Sequence, residues 1–322
     1  MTKNNEHARS CKDLKIYGSA ALFSLIVGFS FLGVKTCLYT ATPLETVTYR
    51  FNFAFLASLA VLITGFIRTD IRKKPKRMLV LTAGLYLGFM VLQALGLVFS
   101  TSVESGIMFA IVPIIAKIIA GVFLKESTSW KQNIFVCMSV SAVITMFVLG
   151  SSDITVNLFG LFILLLSSVS LACSNVLMRY VRGVYTPFEI SSFIAAGGCL
   201  IFNLATIIAG IKNGTIVRYF EPLNHMSFVL ATAYLGVLST LVTSVLMAYM
   251  LAHMDAVKAT IFGNLSTAIS IIAGVVLLGE PLQVYHIVCT VLIVGGVIGL
   301  SLPSMAKKEA LPGRKYEKRN RA

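Results

Sequence analysis

Long apolar stretches alternate with short polar connections along most of the chain. Each stretch is about 20 residues long, which is the length an α-helix needs to cross the hydrocarbon core of a bilayer. The pattern predicts ten spans, at residues 16–34, 44–67, 78–98, 103–124, 132–150, 158–178, 188–211, 227–250, 256–279 and 284–302. Because the connections are mostly short, we expect consecutive helices to be antiparallel neighbours in an all-α integral membrane protein.

The stretch around the fourth span, residues 102–126, has a proline and a lysine in its middle. At 1.5 Å per residue, Lys117 lies roughly 13 Å from Glu126, close to the bilayer midplane. A cation at that depth is too costly to face lipid. Its helical stripe is small and charged, and it contains Gly106, Ala110, Pro113, Lys117 and Gly121. We expect this stripe to face other helices or a wet cavity, with a backbone carbonyl left free by Pro113 nearby.

The same design returns near the C-terminus, in residues 256–280. A shift of 154 positions superimposes Glu126 on Glu280. The matching stripe of this second copy is again mostly small or polar, and it contains Thr260, Asn264, Thr267, Ile271 and Gly274. We expect Glu126 and Glu280 to fix the ends of matched helices and their loops.

A second pair of segments aligns at a shift of 144 positions, which places Pro43 and Glu45 on Pro187 and Glu189. The chain is therefore predicted to be a duplication of a five-helix unit, a common design among membrane transporters. The predicted organisation is a tail at 1–15, a first repeat at 16–150, a second repeat at 151–302 and a basic tail at 303–322.

Composition places the chain in the membrane class. It is 57% hydrophobic and only 12% charged, whereas a soluble domain is normally about a quarter charged. The net charge of +14 would suggest nucleic acid in a soluble protein, but here the basic residues stand between apolar spans, so no nucleic-acid partner is expected. The six cysteines have no paired spacing, which favours neither a disulfide framework nor a metal site.

The distribution of basic residues predicts the orientation. If the N-terminus is inside, the inner segments hold 21 Lys and Arg residues, whereas the outer loops hold only Lys212 and Arg218. This bias predicts that both termini are cytoplasmic. An odd number of spans in each repeat then makes the repeats inverted. The expected location is a cell membrane, specifically a bacterial inner membrane.

Polar and aromatic residues at membrane depth are the candidate site residues. Arg50 lies about 10 Å inside the second span, so it is either a snorkelling side chain or a cavity-facing cation that pairs with Glu104 or meets an anionic substrate group. Lys117 either faces a cavity or forms a structural pair. The remaining candidates for substrate binding or coupling are Asn264, Thr267, Gln93 and Tyr86. Singly, such uncharged residues more often tie helices together.

These features resemble the EamA-type members of the drug/metabolite transporter superfamily. In the first half the resemblance rests on Lys35, Pro43 and Arg50. Toward the ends of the halves it rests on Pro113, Glu126, Glu280 and the pair Gly295-Gly296. The second half departs from the pattern, with Ile194 at the position of Arg50 and Thr267 at that of Pro113.

The resemblance implies a ten-helix inverted-repeat carrier with a central cavity lined by spans 1–4 and 6–9, and with spans 5 and 10 at the periphery. It also implies an exporter or exchanger of small organic metabolites, such as amino acids, that works by alternating access. The expected partners are a small-molecule substrate and the lipid bilayer, with the protein a monomer or homodimer. No cofactor is expected.

Three other functions stay open at this stage. A membrane-embedded enzyme should show convergent His, Asp or Cys residues at membrane depth, which the sequence lacks, so we expect no enzymatic activity and no catalytic residues. A sensor usually carries a soluble output domain. A membrane subunit of an energy-coupled importer would need a separate ATPase.

Overall fold

The computed structural model describes residues 2–65, 67, 69, 74–99, 108–109, 111–125, 129–150, 158–278 and 284–301. These residues form helices joined by short connections, and this part of the chain contains no β-strand. The helices bury hydroxyl groups as well as apolar side chains, for example Ser167, Ser174 and Thr240. Small hydroxyl residues of this kind commonly join helices inside a membrane.

We number ten helices in the described region. They are α1 (Thr2–Leu38), α2 (Pro43–Ile63), α3 (Lys76–Phe99), α4 (Val112–Phe123), α5 (Trp130–Gly150), α6 (Leu158–Val181), α7 (Pro187–Asn213), α8, α9 and α10 (Val284–Ser301). Helix α8 has an α-helical start (Met226–Ala233), a π-helical middle (Tyr234–Val242) and an α-helical end (Thr243–His253). Helix α9 has a short part (Ala256–Thr260) and a long part (Phe262–Leu278).

Five stretches in the described region are long and apolar enough to cross a membrane. They are Leu14–Leu38, Pro43–Ile63, Leu158–Val181, Pro187–Asn213 and Met226–His253. Two shorter apolar helices are Val112–Phe123 and Ile287–Gly299. All seven overlap predicted spans, so the chain is a multi-pass membrane protein that is helical throughout its described secondary structure.

Two of the predicted spans differ in detail from the observed helices. Helix α4 begins at Val112, so Pro113 stands in its first turn and not in mid-helix as predicted. A proline in a first turn replaces an N–H that has no intrahelical partner, so it does not open the helix beside Lys117. The helix predicted over 256–279 is interrupted at Ile261, where the short part of α9 ends and the long part begins.

Matched capping boxes begin α2 and α7. Thr42 accepts a hydrogen bond from the backbone N–H of Glu45, whose carboxylate accepts one from the N–H of Thr42. Thr186 and Glu189 make the same pair of bonds at the start of α7. A reciprocal cap of this kind satisfies two backbone N–H groups at a helix start. The repeat that places Pro43 and Glu45 on Pro187 and Glu189 therefore has a structural counterpart.

Eight helices form a closed ring by successive contacts, in the order α1, α9, α4, α6, α3, α7, α2, α8 and back to α1. Helices α5 and α10 pack against each other and against α9, outside this ring. The counterpart of each ring helix in the other repeat is the helix five places away, so that α1 pairs with α6 and α3 with α8. If all counterparts are exchanged, the same neighbours remain in contact: the α3–α6 contact, for example, becomes the α8–α1 contact. The arrangement of eight inner and two outer helices matches the one that the resemblance implied.

Helices α2 and α7 are neighbours in the ring and run antiparallel to each other. Thr48 on α2 is hydrogen-bonded to Thr206 on α7 at 2.6 Å, while Phe51 stacks on Phe202 at a centroid distance of 5.1 Å. Further along α2, Ala54 is fully buried in a cluster that includes Ala195. Small residues at this crossing allow the two backbones to approach closely. The two helices that start with identical caps therefore point in opposite directions.

Candidate functional site

Arg50 on α2 is a half-buried cation whose side chain contacts α8. Its Nε donates to the hydroxyl of Thr240, and its Nη2 donates to the carbonyl oxygen of Ser239 at 3.0 Å and to the Ser239 hydroxyl at 3.3 Å. Both partners belong to the π-helical segment of α8. The guanidinium therefore joins α2 to α8 through neutral oxygen atoms.

The residues that Arg50 contacts also take part in the internal bonding of the π-helical segment. Its backbone bonds run from residue i to residue i+5, a geometry that is rare and often found at functional sites. Thr240 donates its hydroxyl proton to the carbonyl of Leu235 at 2.8 Å, and Thr243 donates to the carbonyl of Ser239 at 2.8 Å. The Ser239 carbonyl thus accepts bonds from both Thr243 and Arg50.

Gly236 sets the distance between α8 and α2 at this point. A Cβ atom at Gly236 would lie 2.5 Å from the carbonyl oxygen of Arg50 and 2.6 Å from Cβ of Phe53. Real Cβ atoms do not approach other atoms so closely, so only glycine fits here. The close approach brings the backbone of the π-helical segment within reach of the Arg50 side chain.

No carboxylate in the described part of the chain lies within ion-pairing distance of Arg50. Glu104, one partner that the sequence suggested, lies outside the described residues. The ionisable side chains there that are close enough to interact with its charge are those of Tyr86 and Cys37. Arg50 is half-buried. The cation therefore keeps accessible surface, and the neighbours named above, all from the described residues, are neutral or phenolic.

Tyr86 on α3 lies in the same interior region. Its phenol is close to both Arg50 and Ser244 of α8. Its ring makes an edge contact with Phe89 at a centroid distance of 5.5 Å, and Phe89 contacts Phe109 in the same way at 5.6 Å. Gln93 lies two turns further along α3 and is half-buried. The structure thus brings Arg50 and Tyr86 together beside a row of aromatic rings.

Lys117 has a different environment. Its ammonium donates to the side-chain oxygen of Asn133, in the first turn of α5, at 2.7 Å. Helix α5 lies outside the ring, and Lys117 itself stands at the edge of the buried face of α4, beside Pro113 and Ala116. This contact is the structural pairing that the sequence left open as one role for Lys117.

Asn264 is buried, with its amide 3.2 Å from the Ser139 hydroxyl, to which it donates. Ser139 is on α5, so this bond joins α9 to the outer pair of helices. Thr267 lies in the long part of α9, and its side chain is outside the described part of the structure, as are Glu126 and Glu280. Pro43 is exposed in the first turn of α2.

Sequence reasoning missed Ser239 and Thr240, the partners of Arg50. It also missed a polar cluster formed by α2, α7 and the connection that follows α7. In this cluster the Tyr219 hydroxyl donates to the side-chain oxygen of Asn203, which also accepts a bond from the Asn52 amide. A run of hydroxyl residues within an apolar span is the available signal, but most such residues serve helix packing, as Ser167 and Ser174 do by donating to carbonyls of α3. The π-helix leaves no recognisable pattern in the sequence.

A second group of charges lies at the C-terminal end of α8. Arg179 of α6 donates to the carbonyl of Leu251 at 2.9 Å, to that of Met254, and to the carboxylate of Asp255 at 3.1 Å. Arg182 donates to the carbonyl of Ala252 at 2.7 Å. The last carbonyls of a helix lack intrahelical partners, so both cations stabilise the end of α8. We call Arg179, Arg182 and Asp255 the α8 clasp.

The connection before α3 is tied to the start of α7 at the same end of the molecule. Lys74 forms an ion pair with the buried carboxylate of Glu189 at 2.7 Å. The Tyr185 hydroxyl donates to the carbonyl of Pro75 at 2.9 Å. Burial, and to a lesser extent the Glu189 carboxylate, raises the pKa of Tyr185, so its phenol stays a neutral donor.

Comparison with known proteins agrees with this architecture. The model of the EamA-like transporter family matches the chain twice, at residues 14–148 and 158–302. An uncharacterized transporter of Bacillus subtilis (strain 168), YcxC, is 37% identical over 303 residues, which are 93% of this chain and 97% of that protein. Another from the same organism, YyaM, is 23% identical over 90% of this chain and 94% of that protein.

One solved crystal structure has the same fold, with a TM-score of 0.72 and 16% sequence identity over 89% of this chain and 96% of that one. The two family matches cover nearly all of the described helices, one match for each half of the ring. The chain belongs to the EamA-like transporter family.

Proposed function

We propose that this membrane transporter is a secondary carrier of small organic metabolites, such as amino acids or related solutes, that carry an anionic group. It acts as an exporter or exchanger by alternating access. We place it in a bacterial cell membrane with both termini in the cytoplasm, as the bias of basic residues favours. The family membership and the transporter-named relatives support transport, and the ring of eight helices supplies a common wall for a central path.

The environment of Arg50 carries the proposal. The guanidinium holds two of its donors on neutral oxygens of Ser239 and Thr240 and has no carboxylate partner among the described residues. A charge that is surrounded by protein at membrane depth is expensive unless it is paired. Arginine presents a planar fork that fits a carboxylate. A substrate carboxylate would provide the missing countercharge, with the Tyr86 phenol beside it.

The relation between the two halves supports alternating access. The antiparallel course of α2 and α7, together with the unchanged ring order on exchange of the halves, is the packing expected of inverted repeats. The two halves are not identical in detail, because Ile194 replaces Arg50 in the second half and is buried. We propose that the α8 clasp and the Lys74–Glu189 pair close the cytoplasmic end in this conformation and release when that end opens.

The other predicted site residues have different weights in this proposal. Gln93 and Thr267 are proposed as wall residues of the path. Asn264 and Lys117 each form a hydrogen bond to α5. We propose that both residues hold the outer helix pair against the ring. The proton-linked role of Lys117 remains the alternative.

A binding screen followed by counterflow tests the proposed function. Purified protein is screened for thermal stabilisation by amino acids, polyamines, nucleosides and vitamins, and each hit is loaded into proteoliposomes to drive uptake of the labelled solute. We expect accumulation without ATP. A requirement for a co-purifying ATPase would favour the importer subunit, and chemical conversion of the solute would favour an enzyme.

A further inference from the structure

An apolar groove of about 550 Å³ opens on the side of the helix ring, where the apolar stretch Leu14–Leu38 of α1 and helix α7 begin. Its floor is the α-helical end of α8, and its walls are the start of the apolar stretch of α1 and the first turn of α7. The residues that line it include Lys15, Ser19, Phe188, Val245, Leu246 and Tyr249. The groove is lined by other residues than the Arg50 site, which contacts the π-helical middle of α8.

The course of α8 explains why the groove exists. The start of α8 contacts α1 and α2, its neighbours in the ring, whereas its last segment contacts α1, α6 and α7. The helix therefore leans into the ring toward the α8 clasp, where Arg179 and Arg182 hold its final carbonyls. The groove is the space that this inclination leaves between α1 and α7.

Lys15 lies at the mouth of the groove. It is the second residue of the apolar stretch Leu14–Leu38. We therefore expect its ammonium at the level where a membrane's hydrocarbon meets its headgroups. The side chain is exposed and has no ion-pair partner among the described residues. The sequence before it adds Lys3, Arg9 and Lys12. A positive mouth above an apolar groove is complementary to a lipid with an anionic headgroup.

We propose that this groove binds one anionic phospholipid, with an acyl chain along Val245 and Leu246 and the phosphate at Lys15. The chain would contact apolar side chains, which favours burial of its methylene groups. The headgroup would lie in the leaflet at the proposed cytoplasmic face, where the basic residues of the chain concentrate. This site does not depend on the identity of the transported solute.

Native mass spectrometry of delipidated protein tests the proposal. The protein is titrated with palmitoyl-oleoyl phosphatidylglycerol or with the phosphatidylcholine of the same chains. We expect the first bound phosphatidylglycerol to be at least threefold tighter than phosphatidylcholine. Lys15→Gln should remove that preference, and Val245→Trp, which fills the groove, should weaken both lipids. Lys212→Gln, a change of an exposed lysine at the other end of α7, is the matched control.

Three results would overturn the proposal. They are equal affinity of the two lipids for the wild-type protein, a phosphatidylglycerol preference that survives Lys15→Gln, and an equal loss of preference in Lys212→Gln. Because Lys15 is exposed, its variant should keep the wild-type unfolding temperature, which makes the result interpretable even if Val245→Trp fails to fold. Counterflow activity is not part of the readout, so failure here leaves the transport proposal intact.

Discussion

Nη2 of Arg50 lies 3.0 Å from the carbonyl oxygen of Ser239, which also accepts the hydroxyl proton of Thr243 at 2.8 Å. One carbonyl of the π-helical segment therefore links the candidate substrate-binding cation to the internal bonding of α8. A solute anion that binds the guanidinium would compete with this bond. Substrate binding and the local geometry of α8 are therefore expected to be coupled.

The close contact at Gly236 should make α8 intolerant of a side chain there. We expect Gly236→Ala to lower stability by about 1–3 kcal/mol, since overpacking forces the two backbones apart. Gly84→Ala is the control, because a Cβ at Gly84 would meet no atom within 4 Å. Alanine also favours a helix more than glycine. The measurement is the thermal unfolding of both variants in detergent. Equal unfolding temperatures would contradict the close contact between α8 and α2 at Gly236.

Arg179 should contribute more to stability than its acidic partner. Arg179 is buried, whereas the Asp255 side chain is 54% exposed. Exposed ion pairs contribute about 0–1 kcal/mol, but hydrogen bonds from a charged group contribute roughly 1.5–3 kcal/mol. We expect Asp255→Asn to be nearly neutral and Arg179→Gln to be clearly destabilising in the same unfolding measurement. Equal effects would show that the ion pair, and not the contact with the end of α8, is the main interaction.

Lys117 and Asn133 should be energetically coupled. In a double-mutant cycle of Lys117→Ala and Asn133→Ala, we expect an interaction of about 1.5–3 kcal/mol in the unfolding free energy. Lys117→Arg should keep the pH dependence of transport between pH 5.5 and 8.5. If Lys117 is instead the proton-linked group, the Arg variant should abolish pH-driven uptake and preserve exchange, because arginine stays protonated.

The proposed orientation predicts a labelling pattern. In a cysteine-free background, Arg72→Cys and Thr128→Cys should resist a membrane-impermeant thiol reagent in intact cells. Asp153→Cys and Thr215→Cys should react. The bias of 21 basic residues on the proposed inner side motivates this expectation. The reverse pattern would overturn the orientation and the assignment of the α8 clasp to the cytoplasmic end.

The sequence predicted the helices and the duplication because both depend on local signals. Apolar length marks a span, and the motif of Pro43 and Glu45, repeated at Pro187 and Glu189, marks a matched helix start that became a capping box in each half. Arg50 stood out because a cation at membrane depth is rare. Its environment could not be predicted, because Ser239 lies 189 residues away and meets it only through the close approach at Gly236.

Lys117 shows the limit of depth as a guide. Its position along the helix predicted that it avoids lipid, but depth alone could not distinguish a cavity from a neighbouring helix. The described partner, Asn133, lies only 16 residues further on. The prediction that Pro113 lies in mid-helix was wrong. The apolar pattern of the sequence is the same whether a proline stands in mid-helix or in a first turn.

The most direct test of the account is whether Arg50 recognises the anionic group of a solute. Wild-type, Arg50→Gln and Arg50→Lys proteins are compared for thermal stabilisation by pairs that differ only in charge, such as phenylalanine with phenylalaninamide and nicotinate with nicotinamide. We predict that stabilising compounds are the carboxylate members, that Arg50→Gln loses the response, and that Arg50→Lys keeps only part of it, because lysine is a point charge without a planar fork. Equal stabilisation by the amides, or an undiminished response of Arg50→Gln, would contradict the account.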